Sequence, residues 1–68
     1  MNNNFSSRLL SLRIANQLSQ SQLALEIGVS QKAIDFWEKG INEPKANYII
    51  KLARYFNVTA DFLLGLED

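Results

Sequence analysis

The chain contains 68 residues, 47% of them apolar, with seven basic and seven acidic side chains and neither cysteine nor histidine. That length allows one small domain, near the lower limit for a core that holds without covalent staples. The missing residue types exclude disulfides, Cys/His metal sites, thiol chemistry and histidine-dependent catalytic triads, and no apolar run is long enough for a membrane span. We therefore expect a cytoplasmic protein that is not an enzyme and needs no metal or cofactor.

The distribution of charge is more informative than its sum. A formal net charge of zero argues against a generic polyanion-binding protein. However, residues 1–60 hold all seven basic side chains and only four acidic ones, a net charge of +3, whereas the last eight residues hold three acidic ones. An acidic end leaves room for a basic face elsewhere, so charge alone does not decide the partner.

The first two predicted elements are helices. Ser6 or Ser7 is a candidate N-cap for a helix that runs to about Gln17, with apolar residues at helical spacing along it. Ser19 and Gln22 have the spacing of a capping box, which predicts the start of a second helix at that point.

A glycine interrupts the apolar periodicity of the stretch "LALEIGVSQKAIDFWEKG". Gly28 in the left-handed conformation would end the second helix, Ser30 would cap a third, and Gly40 would end that one. Two helices joined by so short a turn form a helix-turn-helix unit, here predicted over about 19–39. The small side chain of Ala24 suits the close crossing that this unit requires.

Two further helices complete the chain. A fourth is predicted over roughly 45–56 and ends at Asn57, and Thr59 would cap a fifth that ends near Gly65. The prediction is an all-α fold, a compact five-helix bundle in one domain over residues 1–68.

The stretch "LSQSQLALEIGVSQKAIDFWEKG" resembles the helix-turn-helix domain of the phage Cro/CI repressors and of the bacterial Xre-type regulators. The likeness continues through Pro44, "LARYFNV" and "DFLLG", and "SSRLLSLRI" is similar to the first helix of lambdoid phage repressors. The resemblance implies a lambda repressor-like fold, a homodimer, and binding of a two-fold symmetric operator in double-stranded DNA through the third helix. It also implies a buried ion pair between Arg13 and Glu38.

The exposed face of the third helix is the candidate reading surface. It begins with an amide and an ammonium, Gln31 and Lys32, which both suit hydrogen bonding to base edges in the major groove. Phe36 lies one turn beyond Lys32 and is a candidate for contact with a thymine methyl group. Two other interpretations of Phe36 stay open, namely packing against the "INEP" loop and simple exposure to solvent.

A second set of polar residues lies where the DNA backbone would pass. Free N–H groups and the dipole at the start of the second helix attract an anion, and the residues around the end of the third helix and in the following loop lie where the backbone of a DNA strand would pass. The predicted backbone contacts are Gln20, Ser30, Lys39, Asn42 and Lys45.

The C-terminal surface is the candidate dimer interface, with Tyr55, Phe62 and Leu66 as its predicted residues. These observations favour a dimeric, sequence-specific DNA-binding protein of the repressor type. Two alternatives remain from the sequence. One is an antitoxin or restriction-modification controller that answers to a regulatory protein partner. The other is a helical protein-binding module that has lost DNA binding.

Overall fold

The computed structural model describes residues 4–67, which form five α-helices. They are α1 (Asn4–Ala15), α2 (Gln20–Ile27), α3 (Gln31–Lys39), α4 (Ala46–Phe56) and α5 (Ala60–Leu63). These residues contain no strand, so the predicted all-α, five-helix fold is confirmed. Residues 1–3 and 68, the two ends of the predicted domain, lie outside the described residues. Between residues 4 and 67, no helix is both long and apolar enough to cross a membrane.

Helix α1 begins earlier and ends earlier than the sequence predicts. Ser6 and Ser7 lie inside the helix, so neither is its N-cap. Ser6 is instead buried, and its Oγ donates a hydrogen bond to the Trp37 carbonyl oxygen at 2.7 Å. The helix ends at Ala15 because Gln17 adopts a left-handed φ of 60°, which no α-helix accommodates.

The boundaries of α2 and α3 agree with the predicted caps. Ser19 and Gln22 form both hydrogen bonds of a capping box at the start of α2, and Gly28 ends it with φ of 87°. The Ser30 side chain accepts a hydrogen bond from the Ala33 N–H at the start of α3, and Gly40 ends that helix in the left-handed conformation. Both glycine positions require a φ that other residues rarely adopt, so the turn is encoded locally.

The last two helices are also delimited by local chemistry. Asn57, with φ of 58°, ends α4, and the Thr59 side chain caps α5. Helix α5 is shorter than predicted and stops at Leu63. Gly65 follows with φ of 82°, and a Cβ atom there would lie only 2.5 Å from the Asn4 Cβ, so the chain returns to α1 through a position that admits no side chain.

The core draws one fully buried large side chain from each helix, which ties all five together. Burying one such aliphatic side chain contributes about 1.5–3 kcal/mol. The five are Leu9, Leu23, Ile34, Leu52 and Leu63. This core fixes the crossing of α2 and α3 and leaves the outer face of α3 on the surface.

Candidate nucleic-acid interface

Helix α3 presents a core face and an outer face. Ile34 and Trp37 are buried in the core, whereas Gln31 and Lys32 are exposed. Phe36 is half-buried, and Lys32 Nζ lies 5.9 Å from the centroid of its ring. The three residues predicted to contact bases therefore lie together on the outer side of α3.

Arg13 and Glu38 form a two-pronged ion pair that joins α1 to α3. Arg13 Nε donates to Glu38 Oε2 at 2.6 Å, and Nη2 donates to Oε1 at 3.0 Å. A third donor, Nη1, reaches the Leu18 carbonyl oxygen at 2.9 Å. The side chains are only 14% and 5% exposed, and the hydrogen bonds that Arg13 donates to Glu38 raise the pKa of Arg13. The pair therefore fixes the carboxyl-terminal half of α3 against α1.

Gln20, at the start of α2, connects this ion pair to the outer face of α3. Its Nε2 donates to Asp35 Oδ1 at 3.2 Å and to Glu38 Oε1 at 3.0 Å. Carboxylates only accept hydrogen bonds, so they fix which way the Gln20 amide points. Its oxygen consequently faces outward, where it accepts a hydrogen bond from Gln31 Nε2.

This arrangement refines the predicted role of Gln20. Both of its side-chain N–H groups are directed at carboxylates, whereas the phosphate contact is predicted from the free backbone N–H groups in the first turn of α2 and stays a prediction. In the described structure, the Gln20 side-chain oxygen accepts a hydrogen bond from Gln31, and its N–H groups are not directed outward.

Asp35 lies between two donors on the rim of the site. Lys39 Nζ is 3.0 Å from Asp35 Oδ2, one helical turn away. The Lys39 hydrogen bond, followed by that from Gln20, lowers the pKa of Asp35. Asp35 is therefore a carboxylate at neutral pH, and its two oxygens contact Lys39 and Gln20.

The remaining predicted backbone contacts are exposed around the ends of α3. Lys39 keeps 61% of its side chain exposed despite its pairing with Asp35. The Ser30 oxygen accepts the capping hydrogen bond, which leaves its hydroxyl proton available as a donor. Asn42 and Lys45 are exposed in the segment between α3 and α4. Contact of these residues with DNA stays a prediction.

The predicted dimer residues do not form one uniform surface. Leu66 is 73% exposed and lines a groove of about 460 Å³ together with Leu64, Phe5 and other residues from α4 and the segment before it. Phe62 is half-buried beneath Arg8, whose guanidinium carbon lies 4.3 Å from the ring centroid. Tyr55 is 41% exposed and packs edge-on against Phe56.

Sequence reasoning missed two side chains that shape the site. It gave Asp35 no partner, although its spacing of four residues from Lys39 is the usual signal for a pair on one helix. It assigned no role to Lys51, whose Nζ donates to the Ile27 carbonyl oxygen at 3.2 Å, because residues 24 positions apart carry no local signal of contact.

Helices α2 and α3, joined at Gly28 and leaving a polar outer face on α3, form a helix-turn-helix unit. The sequence model of the helix-turn-helix family matches residues 9–63. The chain belongs to this family of transcriptional regulators.

Three similar proteins illustrate the family. Over 64 residues, or 94% of the chain, the identity is 34% with the HTH-type transcriptional regulator YobD of Bacillus subtilis and 38% with the HTH-type transcriptional activator BcrR of Enterococcus faecalis. The chain spans 57% and 31% of the lengths of these two relatives. The crystal structure of the P22 c2 repressor, solved in complex with a synthetic operator, matches with a TM-score of 0.87 at 27% identity, covering 93% of this chain and 96% of that one.

Proposed function

We propose that this protein is a homodimeric repressor that binds an operator in double-stranded DNA and inserts α3 into the major groove. It acts in the cytoplasm, by binding and without catalysing a reaction. The proposal rests on the outer face of α3, where the Gln31 amide and the Lys32 ammonium are adjacent and exposed. The Gln31 amide is held by its hydrogen bond to Gln20 of α2. The P22 c2 repressor, whose structure resembles this one, was solved in complex with a synthetic operator, which supports operator DNA as the partner.

The hydrogen bonding of the Gln31 amide favours adenine as the base that Gln31 contacts. One of its N–H groups is given to Gln20, which leaves one N–H donor and the carbonyl acceptor. Adenine presents a complementary pair in the major groove, an N7 acceptor beside an N6 donor, and glutamine binds it through two hydrogen bonds. Gln20 in turn is held by Asp35 and Glu38, so the amide is oriented before DNA arrives.

Phe36 and Lys32 supply the next contacts along α3. The Phe36 ring is partly covered and stays in reach of a thymine methyl, the apolar feature of a major-groove edge. Lys32 Nζ, near the same ring, is a donor suited to guanine O6 and N7. Backbone N–H groups at the start of α2, with Ser30, Lys39, Asn42 and Lys45, supply phosphate contacts on either side.

Dimerisation follows from the small reading surface. One α3 offers too few base contacts to specify an operator, so two copies would bind half-sites about one helical turn apart. Leu64 and Leu66, which are 43% and 73% exposed beside the C-terminal groove, support that surface as the contact between copies. Exposed apolar side chains grouped in this way are typical of protein interaction sites.

Fluorescence anisotropy on a duplex enriched by in vitro selection tests the proposal. Gln31→Ala should weaken binding by about 1–3 kcal/mol and relax the preference for adenine at one position of each half-site. Lys45→Ala should weaken binding to all sequences evenly and reduce the salt dependence by about one phosphate contact. If Gln31→Ala left both affinity and base preference unchanged, α3 would not be the reading helix.

A further inference from the structure

The carboxyl end of α2 is capped by a side chain from another helix. The last carbonyl oxygens of a helix lack partners within it, and together they form the negative end of its dipole. Helix α2 has no basic residue in its own last turn. Lys51 of α4 supplies the missing cation, because its Nζ donates to the Ile27 carbonyl oxygen at 3.2 Å.

Lys51 also lies directly above the helix-turn-helix turn. A Cβ atom added to Gly28 would lie 3.9 Å from Lys51 Nζ. The ammonium group therefore lies beside Gly28, the left-handed residue of the turn. Its position is supported by Tyr48, whose ring centroid is 5.8 Å from the same Nζ. A cation over an aromatic face is attracted to it, so Tyr48 helps to hold the ammonium in place.

Tyr48 extends the same connection to α3. Its ring packs against Trp37 with centroids 5.9 Å apart and a tilt of 41°. Helix α4 therefore holds both members of the helix-turn-helix unit with two side chains spaced three residues apart, α2 through Lys51 and α3 through Tyr48. A change at either contact alters the support of the turn without removing a side chain from the fully buried core.

We propose that Lys51 is a positioning residue for DNA binding. Its ammonium fixes the carboxyl end of α2 and thereby the direction in which α3 leaves the turn. Lys51 is an exposed residue, so loss of its charge leaves the core intact but frees the turn. Operator affinity then falls because α3 no longer meets the groove in one orientation, a consequence that rests on the proposed function.

The test compares Lys51→Met with Arg54→Met, which removes the same charge from another exposed position, three residues further along the same helix. Amide hydrogen exchange at Gly28 and Val29 reports on the turn, since both N–H groups donate to the Ala24 carbonyl oxygen. Exchange at these two amides should become roughly five- to thirty-fold faster in Lys51→Met and stay unchanged in Arg54→Met. This readout needs no DNA, so it stands or falls independently of the proposed function.

Operator affinity is the second readout. We expect Lys51→Met to bind at least about fivefold more weakly than Arg54→Met with an unchanged salt slope, and Lys51→Arg to restore both exchange and affinity. Unchanged exchange at Gly28 and Val29 in Lys51→Met would overturn the proposal. So would a salt slope reduced by about one, since Lys51 would then be a phosphate ligand itself. Faster exchange in a protein that binds no DNA would leave Lys51 as a support of the turn and refute the proposed function instead.

Discussion

Replacing Glu38 by alanine should remove a large part of the stability of the fold. The substitution takes away both carboxylate oxygens that accept from the Arg13 guanidinium and leaves it, among residues 4–67, with one protein acceptor, the Leu18 carbonyl oxygen. Arg13 is only 14% exposed, so water replaces the lost carboxylate poorly. Gln20 loses one of its two acceptors in the same step.

The magnitude follows from the burial of the pair. Stranding one member of a buried ion pair costs about 3–5 kcal/mol, and the residual exposure of Arg13 places this case near the lower end, at about 3 kcal/mol. A domain of 68 residues has a total stability of roughly 3–10 kcal/mol. Because a small domain loses about 4–8 °C of Tm per kcal/mol, Glu38→Ala should melt roughly 12–24 °C below the wild type or fail to fold.

Urea unfolding followed by fluorescence gives the measurement directly, since Trp37 is the single tryptophan and is 6% exposed in the core. Asp35→Ala is the matched control, because it removes a carboxylate three positions away on the same helix and should shift the midpoint far less. The double variant Arg13→Met/Glu38→Leu should regain about 2 kcal/mol relative to Glu38→Ala, since no charge is then stranded. Equal midpoints for Glu38→Ala and Asp35→Ala would show that the Arg13–Glu38 pair does not stabilise the fold.

Three further outcomes are expected. Replacing the contacted thymine by uracil should weaken wild-type binding, and Phe36→Ala should abolish the difference; equal affinity for uracil at every position would leave Phe36 as packing alone. Carbon-detected NMR titration should give Asp35 a lowered pKa, with Lys39→Met raising it. The stability that the Asp35 carboxylate contributes is therefore complete above the ordinary carboxyl pKa. It is lost only below about pH 4, as the pH falls through the lowered pKa of Asp35. Leu66→Asp should reduce dimer formation in analytical ultracentrifugation and weaken operator binding while circular dichroism stays unchanged, and a fully dimeric variant would exclude this surface.

The helix-turn-helix unit is predictable from sequence because its boundaries are set by residues close together in the chain. Ser19 and Gln22 cap α2 reciprocally, and Gly28 and Gly40 accept a φ that other residues resist. Each of these signals lies within a few residues of the feature that it determines. The exposed outer face of α3 follows in turn from its apolar spacing.

Features that depend on contacts between distant segments are not predictable in the same way. Serine is a common N-cap residue, yet Ser6 lies inside α1. Its hydroxyl group donates there to the buried carbonyl oxygen of Trp37, 31 positions away. The orientation of the Gln20 amide depends on two carboxylates of α3 that only the crossing of α2 and α3 brings within 3.2 Å. The partial burial of Phe36 and the cover of Arg8 over Phe62 are likewise results of packing.

In vitro selection from random duplex DNA tests whether the protein binds a specific operator as a dimer through α3. The wild-type protein should enrich a site with two inverted half-sites centred about one helical turn apart, each with an adenine at a fixed position. Selection with Gln31→Ala should keep the two-fold symmetry and lose the adenine. Enrichment of no sequence by the wild type, or of the same adenine by both proteins, would contradict the account.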